Sequence, residues 1–193
     1  MRSVPATRKR SPLGVAALLI ATAIASAAAG AADERRNWFE TPFGQALDGA
    51  PYCPPPEGPL LTESEMRAQA HGRIERGTSC WLAKKCEDSN VFRRDPEVQS
   101  RVIAGLRAEP KFAASSVWVT TERRWITLQG CLASASLRAS LIETVKNVNG
   151  VEAVFDELVV GRAKPRWKID PTWTAPAEEK NRRGTAASVG GAR

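Results

Sequence analysis

Between residues 95 and 161 the apolar residues switch from helical spacing to alternation and back, and that succession fits one order of elements: helix, strand, strand, helix, strand. Val98, Val102 and Leu106 fall at i, i+4 and i+8, one stripe of a helix. Asp95 suits the N-cap, and Pro96 suits the first helical position, where a missing N–H costs nothing. Glu109 precedes Pro110, and proline disfavours helical backbone in the residue before it, so the helix stops there. Val117, Trp118, Val119, Thr120 and Thr121 are β-branched or aromatic and predict a strand. Glu122, Arg123 and Arg124 make a short polar link. The run from Trp125 to Gly130 alternates again, so the two runs predict a hairpin. Ser134 or Ser136 can cap a second helix whose buried stripe is Leu137, Leu141, Val145 and Val148. Asn149 and Gly150 end it, glycine accepting the left-handed backbone of a helix C-terminus. Residues 151–160 predict the last strand, with Val154, Leu158 and Val160 facing inward. The implied fold class is α/β, a small α+β sandwich.

These pieces resemble the BON domain, a small α/β module of bacterial envelope proteins. The resemblance lies in the Leu106 helix, the Val117-x-Val119 strand, the Ile126-Thr127-Leu128-x-Gly130 strand, and Asn149-Gly150-Val151-x-x-Val154 leading to Leu158-x-Val160. They stand in the family's order and spacing, over about a third of the chain. Three positions depart from the family. Arg124 stands where a turn glycine is common, Cys131 follows the strand-ending glycine, and Asp156 replaces a frequent Asn. The family has no catalytic residues to carry over, so the resemblance implies a non-enzymatic protein without a cofactor. It implies a role at the cell envelope, in binding phospholipid or a membrane surface and in osmotic or envelope stress. Such domains also accompany secretin-type and channel proteins.

The rest of the chain flanks this unit. The formal charge is +7, but residues 1–32 hold four basic residues and no acid, and residues 162–193 hold eight basic and three acidic ones. Residues 95–161 carry seven basic and eight acidic residues. Positive charge at the ends of a chain, rather than on its fold, argues against a nucleic-acid partner. Residues 1–32 read as a secretory signal peptide: a basic start, an apolar run over residues 13–29, and Ala29-Gly30-Ala31 at the exit. That run is short and alanine-rich for a membrane span. No cysteine follows it, so the expected location is the periplasm, and not as a lipoprotein.

Residues 33–61 form a proline-rich segment with Trp38, Phe39 and Phe43, then Tyr52, Cys53 and three prolines. It reads as a stiff, extended strap over the next domain, or alternatively as a ligand for a proline-recognition module. Thr62 and Glu65 stand at the reciprocal positions of a capping box and start a helix to about Arg76, with Met66, Ala70 and Ile74 on one face and Gly77 as its stop. His71, the one histidine, has no Ser-His-Asp or Cys-His grouping around it. Residues 62–94 are thus a helix followed by a cysteine loop and a polar connection.

Four cysteines in an exported chain read as two disulfides with three possible connectivities. Cys80–Cys86 is favoured because a short loop closes easily, which leaves Cys53–Cys131 to staple the strap to the domain. On a continuous helix, positions i and i+6 lie about 9 Å apart along the axis. A disulfide needs Cα atoms within roughly 7 Å, so the chain must bend between Cys80 and Cys86. There is no C-x-x-C pair, and C-x5-C with one upstream histidine is a poor zinc pattern. A redox or metal-binding protein remains an alternative that rests on the cysteines alone.

The candidate contact residues are Trp118, Arg123, Arg124 and Trp125 on the hairpin, and Trp167, Lys168 and Trp173 in the basic tail. Trp118 is out of phase with Val117 and Val119 and faces the other side of the sheet, where the N-terminal helix and cysteine loop are expected to cover it. Tryptophan favours the headgroup level of a bilayer, and basic residues are drawn to anionic lipid. Residues 162–193 lack a periodic apolar pattern and are expected to be disordered, either as a solvated tail whose first ten residues pack on the domain or with the basic, tryptophan-bearing part resting on a membrane surface. The expected partner is an anionic phospholipid surface; the alternative is an envelope protein, with this chain as an adaptor.

Overall fold

A computed structural model describes residues 34–176 of the chain. The predicted order is present: α2 (Asp95–Arg107), β2 (Ser116–Glu122), β3 (Trp125–Leu132), α3 (Leu137–Lys146) and β4 (Ala153–Val160). Ahead of them lie β1 (Phe43–Asp48) and α1 (Glu63–Leu82). The sheet has the order β1-β2-β3-β4. Its first two pairings are antiparallel, and β3 with β4 is parallel, as a helical crossover through α3 requires. On one face α2 and α3 close a core of Val98, Val102, Leu106, Val117, Val119, Ile126, Leu128, Leu132, Leu141, Val145 and Leu158. Leu137, Val148 and Val154 pack at its margin. The helical and alternating stripes of the sequence are therefore the buried ones, except that Val160, expected inward, is only half-buried and belongs to neither core.

The strand β1 is a correction. Residues 33–61 read as a strap without regular structure, yet Phe43–Asp48 pairs with β2 and sends Ala46 and Leu47 into the core. Its register shifts between Gln45 and Leu47. A bulge of that kind breaks the alternation by which a strand is recognised. Its extended state comes from hydrogen bonding to β2, not from local propensity.

The opposite face carries a second core of Ala50, Cys53, Trp118, Cys131, Val159 and Trp167, with Phe43 and Tyr52 against it. The cover over Trp118 is another correction. It is not α1 and its cysteine loop but residues 50–57 and the segment around Trp167. Ser116 Oγ accepts from Ala50 N–H at 2.9 Å, and its hydroxyl donates back to Ala50 C=O. Trp167 Nε1 donates to Pro54 C=O at 3.2 Å. Glu57 N–H donates to Lys168 C=O, and Asp170 N–H to Pro55 C=O. Pro54 and Pro56 are buried by this pairing, so the strap does not present a free proline ligand. Residues 162–170 pack across the strap, as the packed reading of the first ten tail residues expects, and Trp173 closes a turn beyond them. The predicted signal peptide and residues 177–193 lie outside the described residues.

Both disulfides join the favoured pairs, Cys53–Cys131 with Cα atoms 5.7 Å apart and Cys80–Cys86 with Cα atoms 5.6 Å apart. The capping box is formed in both directions between Thr62 and Glu65. Helix α1, however, runs past Gly77 to Leu82. Gly77 is there for close approach: a Cβ at this position would lie 2.9 Å from Phe92 Cε2. Gly77→Val is expected to push α1 off Phe92 and to cost about 1–3 kcal/mol in chemical denaturation, as overpacking does. The helix stops instead in a Schellman turn. Lys85 N–H donates to Cys80 C=O, Lys84 N–H donates to Trp81 C=O, and Lys84 sits at φ 56°. This turn is the bend that the Cys80–Cys86 bond demands. The predicted face of α1 is only partly covered, for Ile74 is 66% exposed.

Candidate functional site

The hairpin tip is a two-residue turn whose central residues, Arg123 and Arg124, both have positive φ, 57° and 63°. That backbone matches the twist of a hairpin but is costly for residues with a Cβ. Asp95 offsets the cost. Its Oδ2 accepts from Arg123 N–H at 2.8 Å and its Oδ1 from Arg124 N–H at 2.7 Å. The expected N-cap role of Asp95 is thus corrected. The N-cap of α2 is Arg94, with no side-chain cap bond, and the Asp95 carboxylate reaches across to β2–β3. Burial pushes the Asp95 carboxyl up to about 6, against the two N–H bonds and nearby Arg73, which favour the ionised form. Ser136 at the start of α3 likewise makes no capping bond; its hydroxyl pairs with that of Ser134.

Around the tip the side chains form one surface. Arg123 lies over the Trp125 ring at 4.8 Å, and Trp125 meets Phe155 of β4 with ring centroids 5.8 Å apart. Trp125 is 38% exposed and Phe155 47%. Arg124 pairs with Glu152 at the start of β4. Phe155 was missed in the sequence, although its phase pointed to it: with Val154 inward, the next residue faces the other side. Arg73 of α1 bonds Glu122 at 2.9 Å and lies between the rings of Phe39 and Phe92, which ties α1 to the hairpin.

The structure gathers Arg123, Arg124 and Trp125 but removes Trp118 and Trp167 from the contact set, since each is 8% exposed within the second core. Lys168 is exposed next to the strap; the Glu65 carboxyl is held down first by the Thr62 N–H bond and then by Arg35, with Lys168 the smallest contributor. Trp173 is half-buried in a turn closed by its N–H to Asp170 C=O. His71 is exposed on α1, with Nε2 3.2 Å from Glu75. All four cysteines are paired, and among the described residues no group of three His, Cys, Asp or Glu is placed to hold a metal.

The three departures noted in the sequence each have a partner here. Arg124 is held by Asp95, and Cys131 by Cys53. Asp156 accepts from Arg138 at 2.6 Å and so joins α3 to β4. Residues 94–162 match the family model of the BON domain. No curated protein matches the chain. BON domains are a family linked with membrane or phospholipid binding and with stress proteins. The helix-first unit of α2, β2, β3, α3 and β4 is the BON domain that the chain carries, and β1, α1 and a disulfide-anchored strap are added to it.

Proposed function

We propose that this is an exported, non-enzymatic protein of the bacterial cell envelope that binds an anionic phospholipid surface through the hairpin tip of its BON domain. The carrying observation is the exposed Trp125–Phe155 pair with Arg123 laid over it. The faces of Trp125 and Phe155 left in solvent add nothing to the fold, whereas beside a guanidinium they suit the headgroup layer. Two disulfides agree with an oxidising compartment such as the periplasm. Among the described residues no helix is long and apolar enough to cross a membrane. The reading is of attachment at the surface, and the family's association with stress proteins supports a role in osmotic or envelope stress.

Vesicle sedimentation tests this with protein purified after export. Binding is expected to vesicles containing phosphatidylglycerol and to weaken as salt is added, because lipid contact through Arg and Lys is screened. The double variant Trp125→Ser, Phe155→Ser should bind about tenfold more weakly, a loss of about 1.4 kcal/mol. Absence of binding at low salt would overturn the lipid reading. A discrete envelope protein captured in a salt-insensitive way would favour the adaptor.

A further inference from the structure

The end of α1 carries a second exposed apolar group that nothing in the BON domain requires. Trp81 is 47% exposed and Leu82 68%. Ile74, two turns back from Trp81, continues the same side of the helix at 66% exposure. Helix α1 makes little core: its single buried residue is Gly77. Yet the segment that bears Trp81 and Leu82 is fixed twice. The Schellman bonds from Lys84 and Lys85 reverse the chain, and the Cys80–Cys86 disulfide closes the turn covalently. Cys80 and Cys86 touch neither hydrophobic core, so this bond holds a surface turn in shape rather than the fold together.

Within the turn the charge is positive, and acids begin only at its edges, Glu75 and Glu87. Residues 76–86 contain three basic residues, Arg76, Lys84 and Lys85, and no acid. Of the two acids that follow, Asp88 is paired with Arg94 at 2.5 Å, while Glu87 lies 3.8 Å from Arg94 with its side chain in solvent. The turn is also a neighbour of the hairpin tip. A 290 Å³ cleft is lined on one side by Lys85, Cys86 and Asp88, and on the other by Arg124 and Glu152. The disulfide turn and the hairpin tip therefore lie on either side of one cleft.

We propose that the turn closed by Cys80 and Cys86 is a second membrane contact, which places Trp81 and Leu82 in the headgroup layer of an anionic bilayer with Lys84 and Lys85 against its surface charge. The inference rests on the membrane reading above and assigns part of that contact to a segment outside the BON domain. The disulfide preorganises the turn, so less ordering entropy is lost when it meets the bilayer.

The test uses protein purified after export and vesicles of phosphatidylglycerol and phosphatidylcholine in equal parts, with a brominated phosphatidylcholine as quencher. Trp81→Ala, Leu82→Ser should lower vesicle affinity about tenfold while leaving thermal unfolding unchanged, because both side chains are exposed. Trp81→Phe should keep most of the affinity and lose a component of the brominated-lipid quenching. The pair Cys80→Ala, Cys86→Ala should weaken binding while keeping Trp81. Wild-type affinity in the Trp81→Ala, Leu82→Ser variant, with quenching intact in Trp81→Phe, would overturn the inference and leave the hairpin-tip reading standing. Failure of the wild type to bind any vesicle would overturn both. Loss of a captured protein by the first variant, with vesicle binding unaltered, would overturn the inference in favour of a protein site.

Discussion

Replacing both Cys53 and Cys131 with alanine is expected to lower the unfolding free energy by about 4 kcal/mol. The bond spans 78 residues, and closing so long a loop in the unfolded chain removes a large share of its freedom. The effect should also be visible in the second core. Cys53 holds the strap over Trp118, and Trp167 lies in the same cluster with its indole N–H on Pro54. Without the staple, tryptophan emission should shift to the red before the main transition, as strap and tail segment open together. Urea titration followed by fluorescence and by circular dichroism reads both. Cys80 and Cys86 close only six residues, for at most about 2 kcal/mol by the same argument, and they are remote from Trp118. Equal losses in the two double variants, or coincident fluorescence and dichroism curves for the first, would contradict the staple.

Asp95→Ala is the second large effect, expected at about 2–4 kcal/mol. Two backbone N–H groups of a tight turn lose a shared acceptor, and two residues with side chains stay in left-handed backbone. Asp95→Asn keeps the shape but has one acceptor oxygen and presents an NH₂ to the other N–H, so it should lose less without being neutral. Adding Arg124→Gly to Asp95→Ala should return part of the loss, since glycine takes positive φ without strain. A double-mutant cycle over these sites would read the coupling, and strict additivity would remove the turn argument.

The same carboxyl sets a pH dependence. Its folded pKa, about 6, is above the 3.8 of an unperturbed aspartic acid. A proton is therefore bound more tightly in the folded state. The stability this contributes is full below about pH 4 and is lost as pH rises through 6, on the order of 3 kcal/mol across the window. The protonated acid keeps a lone pair on each oxygen, so the turn need not open on acidification. Relative to Asp95→Asn, the wild type should gain stability as pH falls from about 7 to about 4. A difference that is flat, or of opposite sign, in denaturation at several pH values would show that Asp95 is solvated.

Sequence and structure agree where the deciding contacts are local or periodic. The capping box of Thr62 and Glu65, the stripes of α2 and α3 and the alternation of β2 and β3 could be read because each sets its own geometry within a few residues. The departures from the family were visible as residues but not as partners. Arg124 looked like a weakness of the turn until Asp95, 29 positions upstream, was seen beneath it. Gly77 looked like a helix stop because glycine often is one; Phe92, beyond the disulfide loop, explains it instead. Of the candidate contacts, alternation put Trp118 on the correct face but could not say what lay above it, and Trp167 carried no pattern at all.

What the sequence by itself determined is the BON unit and the start of α1, because helix spacing, strand alternation and caps are properties of neighbours along the chain; it favoured one cysteine pairing of three without deciding it. Only the tertiary structure decided that Phe43–Asp48 is a strand, that the strap and Trp167 cover Trp118, and which aromatics stay in solvent. Those outcomes depend on bonds between residues 66 and 113 positions apart, such as Ala50 with Ser116 and Pro54 with Trp167. At such separations a segment takes its conformation and burial from the surface it meets, and its own composition does not contain that surface.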